Sequence, residues 1–337
     1  MTRRARRGCA LAAGLVVAAS AGLPTAVAAD PVEFTISAAA ITESSGLARD
    51  TNSRVYWTAN DSGGVASVYA LARDGSLKAT VQYRAKPVDV EAVAMSDSRL
   101  YVGDIGDNGA TRDFVTVYAF DFPVPRDQTV SYQAYDFSYP DGPHDAETLL
   151  VDGRGRIYIV TKEAAGGIYA APAQPSRQRV NRLQRVGDAP SYVTDGVFMP
   201  DQQAIALRTY LSVEMLAANG YAPIARAPLP LQPQGESLTV SLDGTSLLAG
   251  SEGAGSKVYR VEIPTEGDNA PTGGASPPSS TSPGASPSPS PSGRTGGEVT
   301  DEDPNAGRSR AGTWSALGLA AVVALVAGIV VAVARKR

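Results

Sequence analysis

A short pattern, in which an acidic residue leads an apolar strand, recurs five times along this chain and constrains the fold more than any other feature. The copies are anchored on Ser45, Glu91, Glu147, Asp195 and Glu236, at intervals of 46, 56, 48 and 41 residues. This is the spacing of four-stranded propeller blades, which take about 40 to 50 residues each. The repeat therefore predicts an all-β fold, a β-propeller.

The repeats fill residues 32–264, where short β-branched and aromatic runs alternate with turn signals and no helical periodicity is found. Five four-stranded blades fit this length. The second blade is expected to end in a strand over residues 129–137. The fifth shows only three strands, so residues 33–37 are expected to complete it by pairing with residues 257–262. A six-bladed ring and a β-sandwich remain alternatives.

The two ends of the chain carry targeting signals rather than parts of the fold. Residues 1–28 combine four arginines, an apolar run and small residues before Ala29, which predicts a secretory signal peptide. Residues 313–334 lack charge and are long enough to cross a bilayer, and residues 335–337 form a basic tail. Because positive charge marks the cytoplasmic side, the pattern predicts a single-pass transmembrane helix in the cell membrane with the N-terminal domain extracellular.

A segment rich in Pro, Ser and Gly separates the predicted propeller from the predicted membrane helix. Residues 265–312 contain Ser-Pro repeats and almost no large apolar side chains. Such a composition cannot bury enough surface to fold, so it predicts a disordered, low-complexity stalk. The propeller is thus expected to be secreted and displayed at the cell surface.

Charge and cysteine content limit the possible partners and chemistry. Four of the 30 basic residues lie in the signal and three in the tail, which leaves 23 against 34 acidic residues, a net charge of about −11. This balance disfavours nucleic acid as a partner. The one cysteine, Cys9, lies in the signal, so the mature protein is expected to lack disulfides and thiolate metal sites.

Propeller topology places the start of each first strand and the end of each second strand at one end of the central channel. Carboxylates dominate both places, with two cations among them, so we predict a ligand-binding mouth there. The predicted ligand-binding residues are Glu43, Asp61, Asp89, Glu91, Asp145, Glu147, Lys162, Asp195, Arg208, Glu236 and Glu252. The lone histidine, His144, is expected to be a turn residue and excludes multi-histidine metal centres.

A glycine-containing loop after the second blade's second strand offers oxygen ligands for a hard cation. Asp104, Asp107 and Asn108 lie in the run Asp-Ile-Gly-Asp-Asn-Gly. Alternating oxygen-bearing side chains of this kind suit Ca²⁺, although the full EF-hand spacing is missing. The three residues are predicted metal ligands, with a simple Asp/Asn-Gly turn as the alternative.

Several of these motifs together resemble a family of secreted bacterial propellers that have no established activity. The resemblance rests on Glu43-Ser44-Ser45-Gly46-Leu47, Asn60-Asp61-Ser62-Gly63, Asp89-Val90-Glu91, Asp104-Ile105-Gly106-Asp107-Asn108, Asp145-Ala146-Glu147, Thr161-Lys162 and Arg208-Thr209-Tyr210. More loosely, the chain is similar to phytase-like and SdiA-regulated propellers, which implies calcium and phosphoester chemistry. That looser likeness transfers no catalytic residue.

Three functions are compatible with these features. The first is a membrane-anchored extracellular propeller that binds a small molecule or a cell-surface polymer at its mouth, with Ca²⁺ as a candidate cofactor. The second is a phosphoester hydrolase, in which a metal activates water while Lys162 and Arg208 hold the phosphoryl oxygens. The third is a glycoside hydrolase that uses two carboxylates among Asp89, Glu147 and Glu236.

Overall fold

The computed structural model describes residues 31–61, 64–96, 99–121 and 124–267, which form 22 β-strands and no helix. In chain order the strands are β1 (Val32–Thr35), β2 (Ser44–Asp50), β3 (Val55–Asn60), β4 (Ser67–Leu71), β5 (Leu77–Tyr83), β6 (Val90–Met95), β7 (Arg99–Asp104), β8 (Val115–Asp121), β9 (Gln128–Val130), β10 (Gln133–Ser138), β11 (Ala146–Val151), β12 (Ile157–Thr161), β13 (Gly167–Ala170), β14 (Asn181–Arg182), β15 (Gln184–Asp188), β16 (Val193–Phe198), β17 (Ala204–Thr209), β18 (Ser212–Ala217), β19 (Pro223–Pro228), β20 (Gly235–Val240), β21 (Leu247–Ser251) and β22 (Lys257–Val261).

The signal, membrane helix and basic tail predicted at the two ends lie outside the described residues, as does the predicted stalk beyond residue 267. Within the described ranges, no helical segment has the length and apolar character that a bilayer crossing requires.

The strands form five sheets whose first strands close into a ring. β2 contacts β6, β6 contacts β11, β11 contacts β16, β16 contacts β20, and β20 contacts β2 again. From each inner strand the sheet continues outward, for example in the order β16-β17-β18-β19. The prediction of five propeller blades is confirmed.

Burial explains why the inner and outer strands differ in sequence. Inner strands are covered on both faces by neighbouring blades, so β11 is buried at every residue, including Glu147 and Thr148. The outer strand β5 alternates instead, with Ala79, Val81 and Tyr83 buried and Gln82 exposed between them. The contrast follows from the two faces that each kind of strand presents.

The N-terminal strand closes the ring by completing the fifth blade, as predicted. β1 pairs antiparallel with β22, so that Phe34 lies opposite Val258 and Thr35 opposite Lys257. Phe34 is buried against the core, and Arg260 holds Glu33 through two hydrogen bonds of 2.8 and 2.9 Å. The two ends of the domain are therefore joined in one sheet.

The strand predicted over residues 129–137 is wrong as a single strand. Residues 128–130 form β9, which adds to the outer edge of blade one in parallel with β5, whereas β10 belongs to blade two. Tyr132 lies between these strands and packs edge-on against Tyr83 and Tyr118. This aromatic contact between blades separates the two short strands.

Each inner strand carries a register shift near its start, and in three blades the shift falls at the recurring acidic residue. Glu91, Glu147 and Glu236 are each skipped in the pairing of their strand with the next. In blade four the skipped residue is Thr194, so the repeat anchor chosen at Asp195 is wrong by one position. A β-bulge changes the direction of the side chain that it carries, and here the bulges lie at corresponding positions in successive blades.

Candidate functional site at the acidic mouth

Backbone hydrogen bonds hold the start of the first strand against the end of the second in several blades. The amide of Asp61 donates to Glu43 at 2.9 Å, that of Lys162 to Asp145 at 3.0 Å, and that of Glu252 to Gln234 at 2.9 Å. Asp61, Lys162 and Glu252 thus occupy equivalent places in three blades. We call this end of the channel the acidic mouth, formed by Glu43, Asp61, Asp89, Glu91, Asp145, Glu147, Lys162, Glu236 and Glu252.

Carboxylates from different blades act on one another in this mouth. Burial raises the pKa of Glu91 to about 9, and the negative charges of Asp61 and Asp89 add to the shift. Burial likewise raises the pKa of Glu236 to about 7, with the charge of Glu252 as the next contribution. The structure therefore brings together acidic groups from blades one, two and five in one partly desolvated volume.

The tightest group within the mouth consists of Asp61, Asp89 and Glu91. One carboxylate oxygen from each lies within 4.8 Å of the other two. Burial and the nearby charge of Asp89 raise the pKa of Asp61 to about 7, and the two carboxyl groups hydrogen-bond to each other. A Cβ atom added to Gly106 would overlap Asp89 and come within 2.8 Å of Glu91, so a glycine there leaves room for both carboxylates.

Lys162 is a cation inside the mouth, and protein groups engage it. Its ammonium forms an ion pair with Glu147, whose side chain is 5% exposed, and lies 5.6 Å from the centre of the Tyr210 ring. Its positive charge also lowers the pKa of Glu91 and of Glu236, against the larger effect of burial. The second oxygen of Glu147 has no hydrogen-bond partner among the described residues.

Asp195 and Arg208 are placed differently, between blades four and five. Arg208 is fully buried and donates to the carbonyls of Ser237 and Gly250 at 2.9 and 2.7 Å and to Gln232 at 2.9 Å. Burial lowers the pKa of Arg208 to about 10. These contacts join two blades, and ligand binding by Arg208 stays a prediction.

The Asp195 carboxylate is likewise held by the protein backbone. It accepts hydrogen bonds from the amides of Gly196 and Leu238 at 2.8 and 2.6 Å, the second of which comes from blade five. Burial raises its pKa well above the usual value. Its predicted role as a ligand-binding residue is also untested.

The predicted metal ligands Asp104 and Asp107 hydrogen-bond to protein donors. Asp104 accepts from the amides of Val88 and Asp89 at 3.1 and 3.0 Å and pairs with Arg112 at 2.9 Å. Asp107 accepts from the Arg112 amide at 2.7 Å and from the Thr111 amide at 2.9 Å, while Asn108 is exposed. Metal binding by this loop stays a prediction, and the close carboxylate group is a different one.

Sequence reasoning missed three features around the mouth. Arg112 neutralises Asp104 and donates to the Gly106 carbonyl at 2.8 Å. Tyr210 covers Lys162. A rim of exposed apolar side chains also occupies the loops at this end, consisting of Val65, Val88, Phe114, Tyr192, Tyr210, Leu211 and Leu231. Their apolar character is readable in the sequence, but their common location requires the strand order.

His144 lies in the loop before β11, after a turn at residues 140–141 rather than in it. Its two ring nitrogens contact Glu163 at 2.8 Å and Asp141 at 3.1 Å, and Tyr169 also hydrogen-bonds to Asp141 at 2.9 Å. Burial lowers the pKa of His144. The hydrogen bonds and charges of Glu163 and Asp141 together outweigh this effect, so the pKa is raised. This network fixes the loop beside the mouth.

Comparison with protein-family models and with curated proteins finds no match to this sequence. The resemblance to secreted bacterial propellers therefore stays a prediction.

Proposed function

We propose that the chain is a binding protein whose acidic mouth accepts the positively charged part of a small molecule or a cell-surface polymer. The observation that supports this is the crowding of carboxylates from several blades at one end of the channel, with raised pKa values for Asp61, Glu91 and Glu236. Partly buried like charges are unfavourable in free energy, and a bound cation would offset that repulsion.

The rim around the mouth supplies the second part of such a site. Tyr192 and Leu211 are 51% and 63% exposed, and Tyr210 is partly exposed beside Lys162. Exposed aromatic rings attract ammonium and guanidinium groups through their π faces, and apolar groups favour contact with a ligand's carbon skeleton. An amine-bearing ligand with an apolar or sugar backbone fits both features.

The proposal is tested with the full chain purified in detergent. Spermidine, a lysine-rich peptide and an amino-sugar oligomer are added separately while thermal melting is recorded. At least one is expected to raise the melting temperature in the parent, and the double variant Glu236→Gln with Glu252→Gln is expected to lose the shift. Asp201→Asn is the control, because Asp201 is exposed in the loop between β16 and β17 at the opposite end. A shift that survives in the double variant, or no shift with any cation, would refute the proposal.

A glycoside hydrolase is the second candidate, because two mouth carboxylates have different environments. Lys162 forms an ion pair with Glu147, whereas burial raises the pKa of Glu236 to about 7 and favours its protonated form. An ionised carboxylate beside a protonated one is the pairing that glycosidases use. Chromogenic glycosides should then be cleaved by the parent and not by Glu147→Gln or Glu236→Gln. A phosphoester hydrolase has less support, since Lys162 and Arg208, which would hold the phosphoryl oxygens, are both engaged by protein groups.

We also propose that the propeller is displayed outside the cell by the predicted stalk and membrane helix. The support is the sequence of residues 265–337, which lies almost wholly outside the described part of the chain. A binding mouth on an exported domain would meet ligands in the surroundings of the cell.

A further inference from the structure

The group formed by Asp61, Asp89 and Glu91 has the composition of a hard-cation site. Asp61 follows β3 in blade one, Asp89 precedes β6 in blade two, and Glu91 lies on β6. Backbone hydrogen bonds fix their mutual position, since the Val90 amide donates to the Asp61 carbonyl at 3.0 Å and the Gly106 amide to the Asp89 carbonyl at 3.2 Å. Three carboxylates are therefore held together by a rigid junction of two blades.

The second observation is that part of this oxygen set has no protein donor. Glu91 is 6% exposed, and no described residue donates a hydrogen bond to its carboxylate. One oxygen of Asp61 is also buried without a partner among the described residues. A buried carboxylate without a donor is costly, so these atoms point to a ligand that the protein itself does not supply.

The nearby Asp104 shows how the fold satisfies a carboxylate when no ligand is needed. Two backbone amides and Arg112 all bond to it within 3.1 Å. Around Asp89 and Glu91, by contrast, the two carboxylates occupy the place where any residue other than Gly106 would put a Cβ atom. The difference between the two carboxylate environments indicates a site rather than a general excess of acid.

Ligand type and geometry favour calcium among the hard cations. One oxygen from each carboxylate lies within 4.8 Å of the other two, and Ca²⁺ accepts such oxygens at about 2.3 to 2.6 Å in flexible geometry, whereas Mg²⁺ needs strict octahedral geometry at about 2.0 to 2.1 Å. Oxygen-only ligands also disfavour zinc and copper. We propose that Asp61, Asp89 and Glu91 bind one Ca²⁺ ion, with its remaining positions open to water.

This calcium site shares the mouth with the proposed organic ligand but does not depend on it. Glu236 and Glu252 belong to blade five and are outside the group of three. The two proposals can consequently fail separately, because calcium is tested here without any organic ligand and with different variants.

The experiment uses the full chain in detergent, freed of metal with a chelator and then titrated with CaCl₂ by calorimetry. We expect one ion per chain and a melting temperature several degrees higher with Ca²⁺ than with chelator. Glu91→Gln is expected to weaken binding at least 100-fold and to abolish the calcium-dependent shift. With chelator present, the same variant should melt no lower than the parent, which shows that it still folds.

Two control variants separate this site from its competitors. Asp107→Asn, in the loop with the competing calcium prediction, should retain affinity within threefold, whereas Glu236→Gln, which removes a mouth charge that acts on Glu91 from outside the group, should weaken binding far less than Glu91→Gln. Loss of binding in Asp107→Asn with retention in Glu91→Gln would move the site to the loop and overturn the proposal. Equal weakening by Glu91→Gln and Glu236→Gln would indicate diffuse attraction, and tighter binding of Mg²⁺ than of Ca²⁺ would refute the ion's identity.

Discussion

Glu236 shows how a single mouth carboxylate opposes stability at high pH. Burial and the charge of Glu252 raise its pKa from 4.5 to about 7, so the folded state holds its proton more tightly than the unfolded state. Between these two values the folded chain binds more protons, and stability falls as pH rises through that window. Glutamine in its place carries no charge to desolvate.

We therefore expect Glu236→Gln to stabilise the metal-free chain at pH 8 by about 1 to 3 kcal/mol, after allowance for screening by solvent at the mouth. At pH 4.5 the effect should nearly vanish. Denaturant unfolding at both pH values measures the difference, with Asp201→Asn as the control. A stabilisation that is equal at the two pH values, or a loss at pH 8, would contradict this account.

Removal of Arg208 is expected to lower stability, because it leaves buried acceptors without donors. The carbonyls of Ser237 and Gly250 and the carboxylate of Asp195 all depend on its charge or its hydrogen bonds. Arg208→Ala is expected to cost about 3 to 5 kcal/mol of unfolding free energy. Arg226→Ala is the matched control, because Arg226 is an exposed arginine that pairs with Glu214 at 3.3 Å, and it should cost less than about 1 kcal/mol. Similar melting temperatures for the two variants would disprove the structural role.

For single residues, the sequence identified most members of the mouth but not which of them are held by protein donors. Asp61, Asp89 and Glu91 follow from strand position, since the starts of first strands and the ends of second strands meet at one end of the channel. The composition of the loop from Asp104 favours a cation equally well. What the sequence does not show is that backbone amides and Arg112 take up those oxygens, because these contacts depend on the folded path of the loop.

Among the structural elements, β1 has the clearest energetic role, because it joins the N-terminus to the last blade. Phe34 on this strand is 4% exposed and packs in a core cluster with Tyr56, Leu71 and Val258. Phe34→Ala should cost about 3 to 5 kcal/mol through lost burial and the remaining cavity. Val32→Ala on the same strand should cost less than about 1 kcal/mol, since Val32 is 45% exposed. Thermal melting compares them, and equal effects would mean that β1 does not close the ring.

Strand periodicity in the sequence predicts the inner elements better than the outer ones. Inner strands recur at blade spacing with an acidic residue near the start of most of them, and a missing strand in blade five requires a partner from the other end of the chain. The parallel additions of β9 to blade one and of β14 to blade two have no such signature. They arise from contacts between blades, such as those of Tyr132, that a single-sequence pattern does not contain.

For the whole molecule, the inner strands contact one another in a closed ring, and β1 pairs with β22 to complete the last blade. The composition of residues 265–312 predicts an extended segment, and such segments are the preferred sites of proteolysis. In the proposed topology, that segment lies outside the cell. Cleavage there should separate an intact domain from its anchor.

We thus expect a protease added to intact cells to release a fragment that ends within residues 265–312. Because the ring closes without the stalk, the fragment should melt at the same temperature as the domain in the full chain, by circular dichroism. The Phe34→Ala variant is the internal control, since a destabilised ring should be cut within the propeller as well. Release only after cell lysis would contradict the extracellular location, whereas release of a fragment that no longer melts cooperatively would contradict the independence of the ring.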